Sequence, residues 1–198
     1  CVFMKNISNM QLEKLLNDCR YDEVLECVAD RGDADAMYYR ALALDQIAAF
    51  RKSKRETYKS FLNHSRKVID DGLRYFPEDT RFLFLDGLYF LHAEKPADAL
   101  ERFMKLYKKT REPRVLVSIG NAYKAIGDYT GALKKYREAT KRGFSPLMMA
   151  HNIAITYKLM QSPDLARKIA EQGLEQKPKN NFEKIIVSEL QKLCSDTV

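Results

Sequence analysis

Histidine, cysteine and clustered lysine and arginine are the groups in this 198-residue chain whose chemistry a site could use. The histidines are His64, His92 and His151, and the cysteines are Cys1, Cys19, Cys27 and Cys194. No two cysteines have C-x-x-C spacing and no histidine lies near one in sequence, so neither a zinc site nor a dithiol redox centre is expected. Cys19 and Cys27 fall at helix-packing positions, where a reduced cysteine acts as a small hydrophobe. His92 has Asp86 and Glu94 nearby along the chain and His151 stands alone, and neither makes a recognisable triad. No G-x-x-x-x-G-K-[ST], G-x-G-x-x-G, H-E-x-x-H or G-x-S-x-G pattern occurs. The expectation is a protein without catalysis, cofactor or metal.

Charge is the other usable chemistry, and it is uneven. The formal net charge is +7. Residues 1–98 carry 15 Lys/Arg and 17 Asp/Glu, while residues 99–198 carry 19 and 10. Two clusters account for much of the excess: Arg102, Lys105, Lys108, Lys109 and Arg111, then Lys134, Lys135, Arg137, Lys141 and Arg142. A basic half suits nucleic acid, anionic lipid or an acidic protein. No aromatic stacking platform accompanies the charge, which disfavours nucleic acid. No apolar run reaches the roughly 20 residues needed to span a bilayer.

The elements that would position these groups repeat. Residues 113–146 and 147–180 coincide when one is slid onto the other by 34. Gly120 then falls on Ala154, Tyr123 on Tyr157, Ala132 on Ala166 and Ala139 on Gly173. Small residues recur where two helices approach closely, with one large aromatic between them. Gly87, Phe90, Ala99 and Phe103 carry the same pattern 33 residues earlier. The sequence resembles the tetratricopeptide repeat, whose period is about 34 residues.

The resemblance is close over residues 80–178 and looser over 5–79. It implies an all-α, right-handed superhelical solenoid of about five helical hairpins with a C-terminal capping helix, treated as one domain over 1–198. The hairpins are a divergent 5–31, a lengthened 34–79, then 80–112, 113–146 and 147–180, with the cap over about 181–194. The second is lengthened because Ala41 and Ser65, matching Gly120 and Ala132, lie 24 residues apart instead of 12. The insert is rich in helix formers, so both helices are expected to project, with Arg51, Lys52, Lys54 and Arg55 near the tip. Asn180-Asn181 caps the last helix, which covers the apolar end that a solenoid otherwise leaves in water.

Hairpins of this family line a concave groove with their first helices and generally bind peptides or protein segments there. Carried over by position, the groove presents Tyr38, Tyr39, Leu42, Phe84, Leu85, Leu88 and His92 in its first half. Arg114, Val117, Asn121, Lys124, Met148, His151, Asn152 and Lys158 follow in its second. An apolar, aromatic half therefore precedes a polar, basic one, suited to a segment with an apolar end and an acidic or carboxylate end. Asn121 and Asn152 match the asparagines of the chaperone carboxylate clamp, and their amides can donate and accept at once. The clamp itself is incomplete, since Val117 replaces its lysine and Phe182 and Ile186 its last cations. The partner is expected to be another protein or peptide. The alternatives are a homo-oligomeric scaffold assembled through the long hairpin or end helix, and RNA or anionic membrane bound by the basic convex face. A cytoplasmic protein is expected. The alternative is a periplasmic or membrane-tethered lipoprotein carried by a lipid on Cys1.

Overall fold

The structure is a computed structural model that describes residues 7–50 and 55–195. Among them are eleven α-helices and no strand. Two compact units divide the chain, Cys1–Arg102 and Phe103–Val198. Helix α6 (Pro96–Thr110) runs through the boundary.

The first unit holds α1 (Asn9–Asn17), α2 (Tyr21–Cys27), α3 (Ala34–Phe50), α4 (Arg55–Tyr75) and α5 (Thr80–His92). A capping box opens α1: Ser8 Oγ accepts from the Gln11 N–H, and Gln11 Oε1 accepts from the Ser8 N–H at 2.9 Å. Helices α3 and α4 run for 17 and 21 residues. Arg51, Lys52 and Lys54 lie outside the described residues, as does Cys1. Helix α3 packs against α1, α2, α4 and α5, which puts it at the centre of this unit. Leu12, Val24, Val28, Ala41, Ile69, Phe82 and Leu85 form the core around it, each large side chain contributing about 1.5–3 kcal/mol by leaving water. Ser65 Oγ, also buried, donates to the Ala41 carbonyl at 3.3 Å and so satisfies its hydroxyl across the α3–α4 contact.

The second unit holds the end of α6 with α7 (Pro113–Ile126), α8 (Tyr129–Lys141), α9 (Pro146–Leu159), α10 (Pro163–Leu174) and α11 (Asn181–Ser195). Proline starts α7, α9 and α10, where its missing N–H costs nothing. Gly127 ends α7 at φ 94°, a left-handed conformation that glycine adopts without strain. Asp128 then caps α8 by accepting from the Gly131 N–H at 2.8 Å. The small positions of the repeat are where helices touch: a Cβ on Gly120 would fall 2.5 Å from the buried Tyr136 ring. Leu116, Ala132, Tyr136, Ala139 and Met149 pack as one cluster, and Leu147, Ala154, Ala170, Ile186 and Leu190 as the next. Buried Glu183 accepts from Ser145 Oγ at 2.9 Å and the Lys179 N–H at 2.7 Å, tying the start of α11 to the start of α9. None of the described helices is long and apolar enough to cross a membrane.

Candidate functional site

In the first unit the side chains expected on the first helices are largely consumed by packing and ion pairs. Tyr38 and Tyr39 are both buried, with Tyr39 3 % exposed. The Tyr39 hydroxyl donates to the Asn9 carbonyl at 3.3 Å, so this ring is turned toward α1. Burial, with Glu13 beside it, raises the Tyr39 phenol to about 12. The Arg81 guanidinium lies 5.1 Å from the Tyr38 ring. Leu42 and Leu88 pack on the core, Leu85 is part of it, and Phe84 is half-buried.

Several polar groups here find partners from distant positions, although the buried Asp45 Oδ2 has none among the described residues. His92 Nδ1 lies 2.6 Å from Oδ1 of the buried Asp45, and the Tyr58 hydroxyl donates to the His92 carbonyl. Asp86 is held instead by Arg66 at 2.6 Å and Arg102 at 2.5 Å. Arg81 bridges Asp79 and Asp35, each at 2.6 Å. Hydrogen bonds from Asn9 and Arg81 hold the Asp35 carboxyl below its usual range, and Arg81 does the same for Asp79.

The second unit differs. Helices α7 and α9 bring Asn121, Lys124 and His151 into one electrostatic neighbourhood. Asn121 Oδ1 accepts from the Tyr136 hydroxyl at 2.7 Å, which orients its amide. Lys124 Nζ sits 5.9 Å from the centre of the same Tyr136 ring. Burial lowers the Lys124 pKa, and no carboxylate among the described residues pairs with it. His151 Nε2 lies 2.7 Å from Glu189 Oε2 of α11. Burial holds the His151 pKa down; Glu189 pulls it up and Lys124 pushes it down. Asn152 is half-buried beside His151, and its carbonyl accepts from the Thr156 hydroxyl at 2.7 Å.

The remaining positions fall elsewhere. Arg114 Nε is within 2.5 Å of Glu112 Oε2. Val117 is buried, Met148 is half-buried on the Leu116–Tyr136 cluster, and Lys158 is exposed near the end of α9. Sequence reading placed Tyr136 only in the core and passed over Asp45 and Glu189. The signal for Tyr136 was present, since a tyrosine stands where a phenylalanine would fill the same volume. Asp45 and Glu189 lie 47 and 38 residues from the histidines they meet, and nothing in the pattern marks them. Among the described residues no group of three or more His, Cys, Asp or Glu is placed to hold a metal ion.

No family model matches the chain, and no curated protein does. Solved structures do. MamA AMB-1 superposes with a TM-score of 0.55 at 16 % identity, over 84 % of this chain and 95 % of that one. The crystal structure of the APC/C hetero-tetramer Cut9-Hcn1 gives 0.53 at 14 % identity, over 93 % of this chain but 45 % of that one. At such identities the likeness is one of fold. The chain has the tetratricopeptide-type helical-repeat fold.

Proposed function

We propose that this chain is a non-enzymatic scaffold that holds a peptide or protein segment of another protein on its first helices. Within the second unit, Lys124 receives an anionic group of that segment, with Asn121, His151 and Asn152 around it. One observation carries this reading. Lys124 is half-buried and meets no carboxylate among the described residues, and a partly desolvated ammonium without a counter-charge is an unfavourable state that an incoming anion relieves. The Asn152 amide can hydrogen-bond a ligand backbone as donor and acceptor. In the first unit, half-buried Phe84 and Leu88 offer apolar contacts and His92 is held by Asp45. The like-folded Cut9 stands in a hetero-tetramer with Hcn1, which accords with a role in holding other chains.

Selection from a display library of random peptides tests the proposal, with the intact protein and Lys124→Met as parallel baits. The intact protein is expected to enrich peptides bearing a carboxylate cluster or an acidic end, and Lys124→Met to lose them. Enrichment of the same peptides by both baits contradicts a role for Lys124. Failure of the intact protein to enrich any peptide contradicts the groove reading as a whole.

A further inference from the structure

A cleft whose lining does not include Lys124 lies on α8, the second helix of the hairpin formed with α7. Helix α8 and the end of α9 enclose a cleft of about 530 Å³, lined by Leu133, Lys134, Arg137, Lys141, Tyr157 and Met160 among others. That volume is within the roughly 300–1,000 Å³ of ligand pockets. Its floor is apolar: Leu133 is buried, whereas Met160 is 37 % exposed. Its rim is cationic. Lys134, Arg137 and Lys141 stand at i, i+3 and i+7 of α8, so they share one face over about 10 Å of helix.

Among the described residues none of these three charges meets a carboxylate. The one carboxylate in the lining belongs to Glu138, which Lys135 meets at 3.1 Å, Arg142 at 3.3 Å and the Tyr107 hydroxyl at 3.3 Å. Lys134 and Lys141 have no acidic partner among the described residues. Arg137 donates to the Tyr157 hydroxyl at 2.9 Å, which steadies the guanidinium at the rim while leaving its other N–H groups for a ligand. Residues 103–198 carry 18 Lys/Arg and 9 Asp/Glu, so the surrounding field is positive as well.

We infer that this cleft is a docking site for an acidic amphipathic helix of a partner protein, distinct from the surface around Lys124. Carboxylates at i, i+3 and i+7 of the incoming helix pair with Lys134, Arg137 and Lys141 at matching pitch. An aliphatic or aromatic side chain between them covers Leu133, Tyr157 and Met160. Single-stranded RNA fits less well, because it needs successive aromatic platforms and the cleft has one ring, with its hydroxyl already engaged.

Fluorescence anisotropy of the full chain tests this. The probe is a labelled synthetic helix with glutamates at i, i+3 and i+7 and a leucine between them. Lys134→Glu/Arg137→Glu is expected to weaken binding by at least about tenfold, and Met160→Asp by several-fold, the buried apolar contact being lost. Lys168→Met, at an exposed cation of α10 outside the cleft, leaves affinity unchanged. Loss of binding in Lys124→Met, with Lys134→Glu/Arg137→Glu unaffected, overturns the proposal in favour of the site under Proposed function. Circular dichroism melts confirm that the cleft variants and Lys168→Met, all altered at exposed positions, remain folded. Equal affinity for a peptide of the same composition with its glutamates off the helical register overturns the proposal, since charge alone then suffices. Stronger binding of oligouridylate at the same residues overturns it in favour of RNA.

Discussion

The two units are built alike and use their polar residues differently. Each buries a large aromatic against a glycine: Phe82 on Gly72 in the first, Tyr136 on Gly120 in the second. In the first, Asp35, Asp45, Asp79 and Asp86 all meet cationic or histidine partners. In the second, half-buried Lys124 meets no acid among the described residues, and Lys134 and Lys141 line an apolar cleft likewise without one. Charges satisfied within the fold hold it together. Charges left unsatisfied in shaped surroundings are available to a ligand.

Four experiments bear on that contrast, beginning with the cores. Phe82→Ala and Tyr136→Ala should each cost about 3–5 kcal/mol, measured by denaturant unfolding, because both rings are fully buried. A much smaller loss at either site breaks the claim that the two cores are equally sealed.

Next comes the polar contrast itself. Arg66→Ala should destabilise by about 1–2 kcal/mol, since Asp86 loses one of two guanidinium partners in a partly buried pair. Lys124→Met should leave stability unchanged or raise it by up to about 1 kcal/mol, because an unpaired desolvated charge is replaced by an apolar chain. A loss at Lys124→Met as large as that at Arg66→Ala would mean that Lys124 is structural.

The third experiment uses pH. His151 titrates lower when folded than its ordinary 6.5 because it is buried, with Lys124 adding to the effect and Glu189 opposing it. The unfolded chain therefore takes up this proton first. Stability is full above 6.5 and falls as pH drops through the lower folded value. Melts above and below 6.5 should show a loss in the acid that His151→Gln reduces. An unchanged pH dependence in that variant sinks the assignment.

The smallest effect is expected at Arg114, whose pair with Glu112 is more than a third exposed on both sides. Arg114→Ala should shift stability by no more than about 0.5 kcal/mol. A larger loss would give this pair a role that its exposure does not account for.

The fold was legible in the sequence because a repeat writes its packing rule more than once. Gly120 with Ala154 and Ala132 with Ala166 announce close helix approach, and all four are buried. The site was only partly legible. Register gives the face a residue occupies, not the group that meets it from another helix. Asn121 and Lys124 could be placed on one face of α7, but the Tyr136 hydroxyl that orients the first and the desolvation of the second depend on α8 and on packing. Sequence sets His92 six positions from Asp86, but the fold gives it Asp45 while two arginines take Asp86. Tyr38 and Tyr39 look like surface aromatics by position. They are buried because α3 has neighbours on several sides, α1 among them.

The most direct test of the central claim is an NMR titration of the lysine side chains, free and with a carboxylate-bearing peptide taken from the display selection. The account predicts that Lys124 titrates below the ordinary 10.5 in the free protein and moves upward when the peptide binds, as its ammonium gains a counter-charge. Lys124 titrating with the exposed lysines, and staying there when peptide is added, would contradict it.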